Sequence, residues 1–144
     1  MAITSAICNS FKVQILTGTH NFTVTSGDTF NLALYTSSAT LNKSTTVYIT
    51  ANEVATATGY TAKGKALTNV TPVLSSDTAV CDFANVSWTS ASFTSRGCLI
   101  FNDSVATDPA VCAIDFGGDK TVTSGTFTIE FPAASAGTAI IGIA

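Results

Sequence analysis

Short runs of alternating apolar and polar residues, punctuated by Gly, Asn, Asp and Ser, dominate the chain. A two-residue period is the mark of strands, because successive side chains point to opposite faces. Residues 11–16 alternate ahead of Gly18, residues 20–24 alternate again, and residues 25–28 (Thr-Ser-Gly-Asp) read as a tight turn. The run 30–35 places Phe30, Leu32 and Leu34 on one face, with Asn31, Ala33 and Tyr35 on the other. Further strands are predicted over 66–74 (where Pro72 marks an edge or a bulge), 79–83, 86–89, 92–96, 98–102, 111–116, 125–131 and 138–143. Residues 36–65 form a long polar stretch of no clear period, interrupted by Val47-Tyr48-Ile49 and Gly59-Tyr60. A protruding loop, or a short helix around 51–55, is expected there. About eleven strands at such spacing specify an all-β fold, an antiparallel β-sandwich that is jelly-roll-like or immunoglobulin-like. One domain is expected over residues 11–144, with residues 1–10 as an N-terminal arm. The last six residues, Ala139 to Ala144, are apolar on both faces, so both faces should be covered, one by the domain's own core.

Composition sharpens this picture. The chain has 144 residues, enough for a single core. Only 10% are charged while 46% are hydrophobic, and Ser and Thr supply 15 and 25 residues, so the polar surface is mostly hydroxyl. Disorder is excluded, since it requires low hydrophobicity and high net charge. Six Lys and Arg against nine Asp and Glu leave no basic face, so no nucleic-acid partner is expected. No apolar run approaches the length of a membrane span, so no membrane partner is expected either.

The first ten residues carry no basic residue and no unbroken apolar stretch, so they do not read as a secretory signal. Cys8, Cys81, Cys98 and Cys112 lack the paired spacing of a zinc site. The last three sit in strand-like runs, where a free thiol packs as a small hydrophobe; disulfides are the alternative. Asn-x-Ser/Thr sequons occur at Asn21, Asn42, Asn69, Asn85 and Asn102, and reflect β-turn composition.

Chemistry is sparse. His20 is the only imidazole, so any triad would need it, and its place before residues 21–24 suits turn capping instead. Asp115 and Asp119 flank Gly117-Gly118; a hairpin turn accounts for them better than a Ca²⁺ site, which needs more oxygens than one turn supplies. Asn102-Asp103-Ser104 with Asp108-Pro109 reads as a loop. Trp88 alternates with Val86 and is expected in the core, not on a sugar-binding platform. Glu53 and Glu130 are the only Glu residues, and nothing pairs them for glycosidase work. No catalytic, cofactor-binding or metal-binding residue is therefore assigned, no cofactor is expected, and the chain does not read as an enzyme.

Two stretches carry a family look. One runs from Phe11-Lys12-Val13 through Gly18-Thr19-His20-Asn21-Phe22 to Gly27-Asp28-Thr29-Phe30-Asn31-Leu32 and on to Leu41. The other holds Trp88-Thr89-Ser90, Ser95-Arg96-Gly97-Cys98-Leu99-Ile100-Phe101-Asn102, then Ala113-Ile114-Asp115-Phe116-Gly117-Gly118-Asp119-Lys120 and Gly125-Thr126-Phe127. Together, over residues 11–143, they resemble a family of small structural proteins of tailed bacteriophages, including cyanophages. The resemblance implies a capsid cement or decoration protein that binds and stabilises the head shell. Its partners would be the major capsid protein or other virion proteins, and further copies of itself, a homotrimer being favoured. It would be made in the host bacterial cytoplasm and located in the virion; a tail, neck or fibre component, or a host-glycan-binding module, is the alternative. The resemblance brings no functional residues with it.

Overall fold

The computed structural model describes residues 2–57 and 59–144. Among them the elements are β1 (Ala6–Ile7), α1 (Asn9–Leu16), β2 (Phe30–Tyr35), β3 (Lys65–Ala66), β4 (Asn69–Ser75), β5 (Thr78–Phe83), β6 (Val86–Asn102), β7 (Ala110–Ile129) and β8 (Ile141–Ile143). They build two antiparallel sheets, one in the order β1-β7-β6-β2-β3 and one in the order β4-β5-β8. Residues of both sheets enter one hydrophobic core, so the protein is an all-β, sandwich-like single domain, as its alternation predicts. Phe22 stacks on Phe30 at 4.2 Å between ring centroids, and Phe83 of the small sheet packs against both at 6.1 and 5.9 Å. That aromatic trio ties the sheets together.

Several predicted elements come out differently. Residues 11–16 are helical rather than extended: Phe11 and Ile15, four apart, pack inward, while Val13 and Leu16 face solvent. Phe11 and Ile15 satisfy both periods, and the exposed Val13 decides for the helix. Residues 20–24 form no strand. Asn21 Oδ1 accepts from both the Thr23 N–H and the Thr23 hydroxyl, and Asp28 Oδ2 accepts the Asn21 N–H, so side chains replace a ladder. The eleven expected strands reduce to six, since those two runs are lost and five others merge into two continuous strands, and the unpredicted β1 and β3 bring the count to eight among the described residues. Residues 86–102 are one strand, as are residues 110–129. The residues between them, read as turns, are bulges. Ser90 sits at φ +49°, and between Ser95/Lys120 and Gly97/Asp115 five steps along β7 answer two along β6. Gly117-Gly118 therefore lies inside a bulge and not in a hairpin turn. The register shift between Val70 and Val73 sets a bulge at Pro72, where the sequence places one.

Residues 1–10, expected as an arm, are stitched to the domain over their described part. The Thr4 N–H donates to the Leu41 carbonyl and the Cys8 N–H to that of Val111, while Ala6 and Ile7 pair with Ala113 and Cys112. The described residues of the 36–65 stretch neither protrude nor form a helix. Ala39, Leu41, Val54 and Tyr60 are buried in the core, and the stretch is fastened along the edge of β2. β3 covers that edge only at Asn31 and Leu32. Further along, the Val54 N–H donates to the Leu34 carbonyl, and the Leu34 N–H donates to the Tyr60 hydroxyl at 2.9 Å. Tyr60 in turn donates to Glu53 Oε1 at 2.7 Å, Tyr48 donates to Glu53 Oε2 at 2.5 Å, and the Lys63 N–H donates to Oε1 at 2.7 Å. Burial, and then the hydrogen bond to Glu53, pushes the Tyr48 phenol up to about 12. Lys63 also bridges Asp103 at 3.0 Å and Asp108 at 2.8 Å, fastening the stretch to the turn between β6 and β7. Gly64 makes the entry into β3 possible: φ is +69°, and a Cβ there would meet the Leu32 carbonyl oxygen.

Tyr60→Phe should lower the unfolding free energy by about 1–3 kcal/mol, because it orphans the buried Leu34 N–H and removes one donor from Glu53. Urea denaturation checks this, with a shifted midpoint at unchanged slope.

Candidate functional site

The residues weighed for chemistry are all engaged structurally. His20 is buried, its ring between α1 and β6. Asn102 Oδ1 accepts the Ser104 N–H, so its amide nitrogen faces His20 Nδ1 at 3.1 Å and Asp28 Oδ2 at 2.8 Å. Nδ1 is thus an acceptor, and Nε2 carries the proton and donates to Gln14 Oε1 at 2.9 Å. Both ring nitrogens are spent on joining α1 to β6. Burial lowers the His20 pKa below its ordinary value, only partly opposed by the Asp28 carboxylate.

Asp115 accepts from Arg96 Nε at 2.9 Å and from the Gly117 N–H at 3.0 Å, which pulls its pKa down; it shapes the bulge. Among the described residues no group of three or more His, Cys, Asp or Glu could hold a metal ion. The four cysteines are free and buried. Burial pushes the thiols of Cys8 and Cys81 up to about 11 and 12, and those of Cys98 and Cys112 up as well, so all four stay protonated near neutrality. Trp88 is 4% exposed and packs by Tyr60 and Phe127, so it offers no platform to a sugar. Glu53 ties down the 36–65 stretch, and Glu130 lies at the end of β7.

What the surface does present is apolar area, in two places. An open groove of about 770 Å³ follows β7, lined by Ile7, Ile114, Phe116, Phe127, Ile129, Phe131 and Ile140, with Lys120 and Glu130 as its charged members. It exists because β7 bends at its bulge: Phe116 and Phe127, eleven residues apart in sequence, have ring centroids 6.2 Å apart. The volume is in the range of ligand pockets, but its open form suits an extended chain or a protein surface better than an enclosed small molecule. The second place is where α1 meets the small sheet, around an apolar dent of about 110 Å³ lined by Phe11, Ile15, Pro72, Cys81, Ile141 and Ile143 among others. The large hydrophobic residues most exposed to solvent belong to the elements gathered here. Leu16 is 87% exposed, Leu74 72%, Val13 64%, Val24 57%, Val73 55% and Ile143 54%. The Val24 N–H donates to the Thr71 hydroxyl, which brings that turn against β4. Residues 66–76, which contain β4, carry no charge. Isolated exposed apolar residues need no explanation, but a concentration of them marks a contact surface.

Of these residues, the sequence pointed only to the C-terminal run, where both faces were expected to be covered; Ile141 is buried and Ile140 lines the groove, but Ile143 is exposed, so within the single chain that coverage is not complete. Val13, Leu16, Val73 and Leu74 were legible only as core positions of short elements; the uncharged stretch 66–76 was the available signal. No helix of the described residues is long and apolar enough to cross a membrane. Comparison finds no family model that matches the chain, and no curated protein or solved structure with a significant match.

Acidification should weaken the fold through His20. Its folded-state pKa lies below the ordinary 6.5, so the unfolded chain binds the extra proton first. Stability contributed by neutral His20 is present above about 6.5 and is lost as the pH falls toward the lowered folded value. Urea midpoints measured from pH 7.5 to 5 should fall for the native chain, and the slope over that window should flatten in His20→Gln.

Proposed function

We propose that the protein is a virion structural protein, a capsid cement or decoration protein of a tailed phage that binds the shell formed by the major capsid protein and stabilises it without chemical turnover. The observation that carries this reading is the number of large apolar side chains that α1, β4 and β8 leave exposed: Leu16, Val13, Val73, Leu74 and Ile143. A small domain holding this much uncharged apolar area in water gains by covering it, at about 25 cal/mol for each Å² removed. The sequence resemblance over residues 11–143 supplies the kind of partner. One of its stretches, residues 95–102, lies in β6 at the centre of the large sheet, so that part of the resemblance concerns the scaffold and leaves the contact surface to be identified by exposure.

The engaged state of His20 and the protonated, buried thiols support a role in contact rather than catalysis. A low-charge surface rich in hydroxyls suits this role as well, because Ser and Thr can be desolvated against a neighbour at far smaller cost than Lys or Glu.

The test uses purified particles and the recombinant chain. Antibody labelling should place the protein on the outer shell at symmetry-related positions. Leu74→Asp and Leu16→Asp should each weaken rebinding to stripped shells by about tenfold or more, while changing unfolding free energy by no more than about 0.5 kcal/mol, since both side chains are largely solvated in the isolated domain. Label confined to the tail, or full rebinding by both variants, would overturn the decoration role.

A further inference from the structure

We infer that two copies of this chain pair through the outer edge of β7, antiparallel about a two-fold axis. On its inner side β7 is paired with β6 along most of its length. On its outer side β1 covers only Cys112 and Ala113, and the Ser5 hydroxyl accepts the Asp115 N–H. Beyond Asp115, among the described residues, no other strand pairs with this edge, so the outward backbone donors and acceptors of the strand's second half have no ladder to join.

Exposed edges are ordinarily blunted by proline or by charge. The edge strand of the small sheet is blunted in this way, with Pro72 in the middle of β4. Residues 121–129 of β7 (Thr-Val-Thr-Ser-Gly-Thr-Phe-Thr-Ile) contain neither proline nor any charged residue. The run is interrupted once, at Ser124 (φ +46°), where three steps along β7 answer two along β6, so the edge offers two short straight pieces, 120–122 and 126–129, which an antiparallel two-fold centred near Gly125 would set against each other.

The charges that bracket the run select the occupant. Lys120 stands at one end, next to the exposed Asp119 whose charge acts on Arg96, and Glu130 at the other; Lys120 and Glu130 are both exposed beside the apolar groove. A second β7 laid antiparallel brings the Lys120 end of each copy to the Glu130 end of the other, so the attraction occurs twice; a parallel arrangement would set like charges together. Such a self-complementary patch is what an isologous two-fold contact requires. The side chains of the run suit the same neighbour. Thr121, Thr123, Thr126 and Thr128 are exposed, and the existing ladder already joins hydroxyls across strands, Ser87 to Thr128 and Thr94 to Thr121, each at 2.8 Å. A second copy would extend that hydroxyl ladder outward and cover the groove's apolar centre at Phe127 and Ile129. The inference concerns the purified chain alone, and its two-fold pairing departs from the homotrimer that the sequence resemblance implies.

Sedimentation equilibrium from about 1 to 100 µM spans the affinity of a modest strand-addition dimer. The native chain should sediment as a reversible dimer. Lys120→Glu or Glu130→Lys alone opposes like charges at both symmetric contacts and should raise the dimer Kd about tenfold, while the double reversal should return it to within about threefold of native. Both side chains are exposed, and an unchanged circular dichroism spectrum confirms the fold of each variant. A monomer at the highest concentration, a trimer, single reversals without effect, or a double reversal that fails to restore dimerisation would each overturn the two-fold pairing.

Discussion

The pairing of β6 with β7 is the constraint on which the rest of the structure depends. Strands of 17 and 20 residues are long for a domain of this size, and a regular ladder of that length would run past the core it serves. Bulges resolve the mismatch. The inner half of the pair, around Leu99–Ala113 and Ile100–Cys112, is buried and forms the middle of the large sheet. The outer half is re-aimed by the extra residues at 116–119, so Phe127 turns back toward Phe116 and Phe93. The core and the groove are two consequences of one bent hairpin.

A second constraint is how so few charges hold so much irregular chain. The 36–65 stretch has little ladder of its own, and its attachment to β2 passes through Glu53, which gathers two phenol hydroxyls and a backbone N–H. Tyr60 serves as a surrogate strand, accepting from the Leu34 N–H where β3 has already ended. At the end of β2, the buried Ser95 hydroxyl lies 3.1 Å from the Tyr35 carbonyl oxygen and 3.0 Å from that of Gly97. Hydroxyls do throughout this protein what ion pairs and extra strands do elsewhere, and they satisfy buried backbone with little cost of desolvating charge.

This economy explains which parts of the fold could be read from the sequence. The all-β class followed from alternation, and β2, β5 and the burial of Trp88 from local pattern. The joining of residues 86–102 into one strand did not, because Ser90 and Gly97 look like turn residues wherever they occur; whether they break a strand or bulge it is settled by the partner across the ladder. The helix at Asn9–Leu16 was hidden because Phe11 and Ile15 satisfy both periods. Glu53 was legible as one of only two Glu residues but not as a hub, since its partners Tyr48, Tyr60 and Lys63 act through a chain reversal that carries no periodic signal. The apolar surfaces were hidden for a related reason: exposure is a tertiary property, and Leu74 reads the same in a strand whether it faces the core or water.

Two uncovered edges of this molecule, that of β4 and that of the second half of β7, treat solvent differently, and the difference is informative. β4 displays Val73 and Leu74 yet carries Pro72, which withdraws an N–H and bulges the strand, so it can lend side chains to a neighbour but makes a poor template for backbone pairing. β7 keeps its backbone donors: between Lys120 and Glu130 its exposed side chains are largely threonine, its edge bulges once at Ser124 but holds no proline, and its charges stand only at the ends of the run. A chain that spends a proline on one edge and none on the other is not indifferent to strand addition. The bulge at Ser124 interrupts this edge once, but the ordinary remedy of a single Lys within the run is absent, so its straight pieces could still recruit an extended chain if they were never covered. The two exposed features divide the work if apolar side-chain contact is made through α1, β4 and β8 while backbone contact is made through β7. In that arrangement the low charge of the chain is a requirement of its contacts, because a charge on either surface would have to be desolvated each time the surface is used.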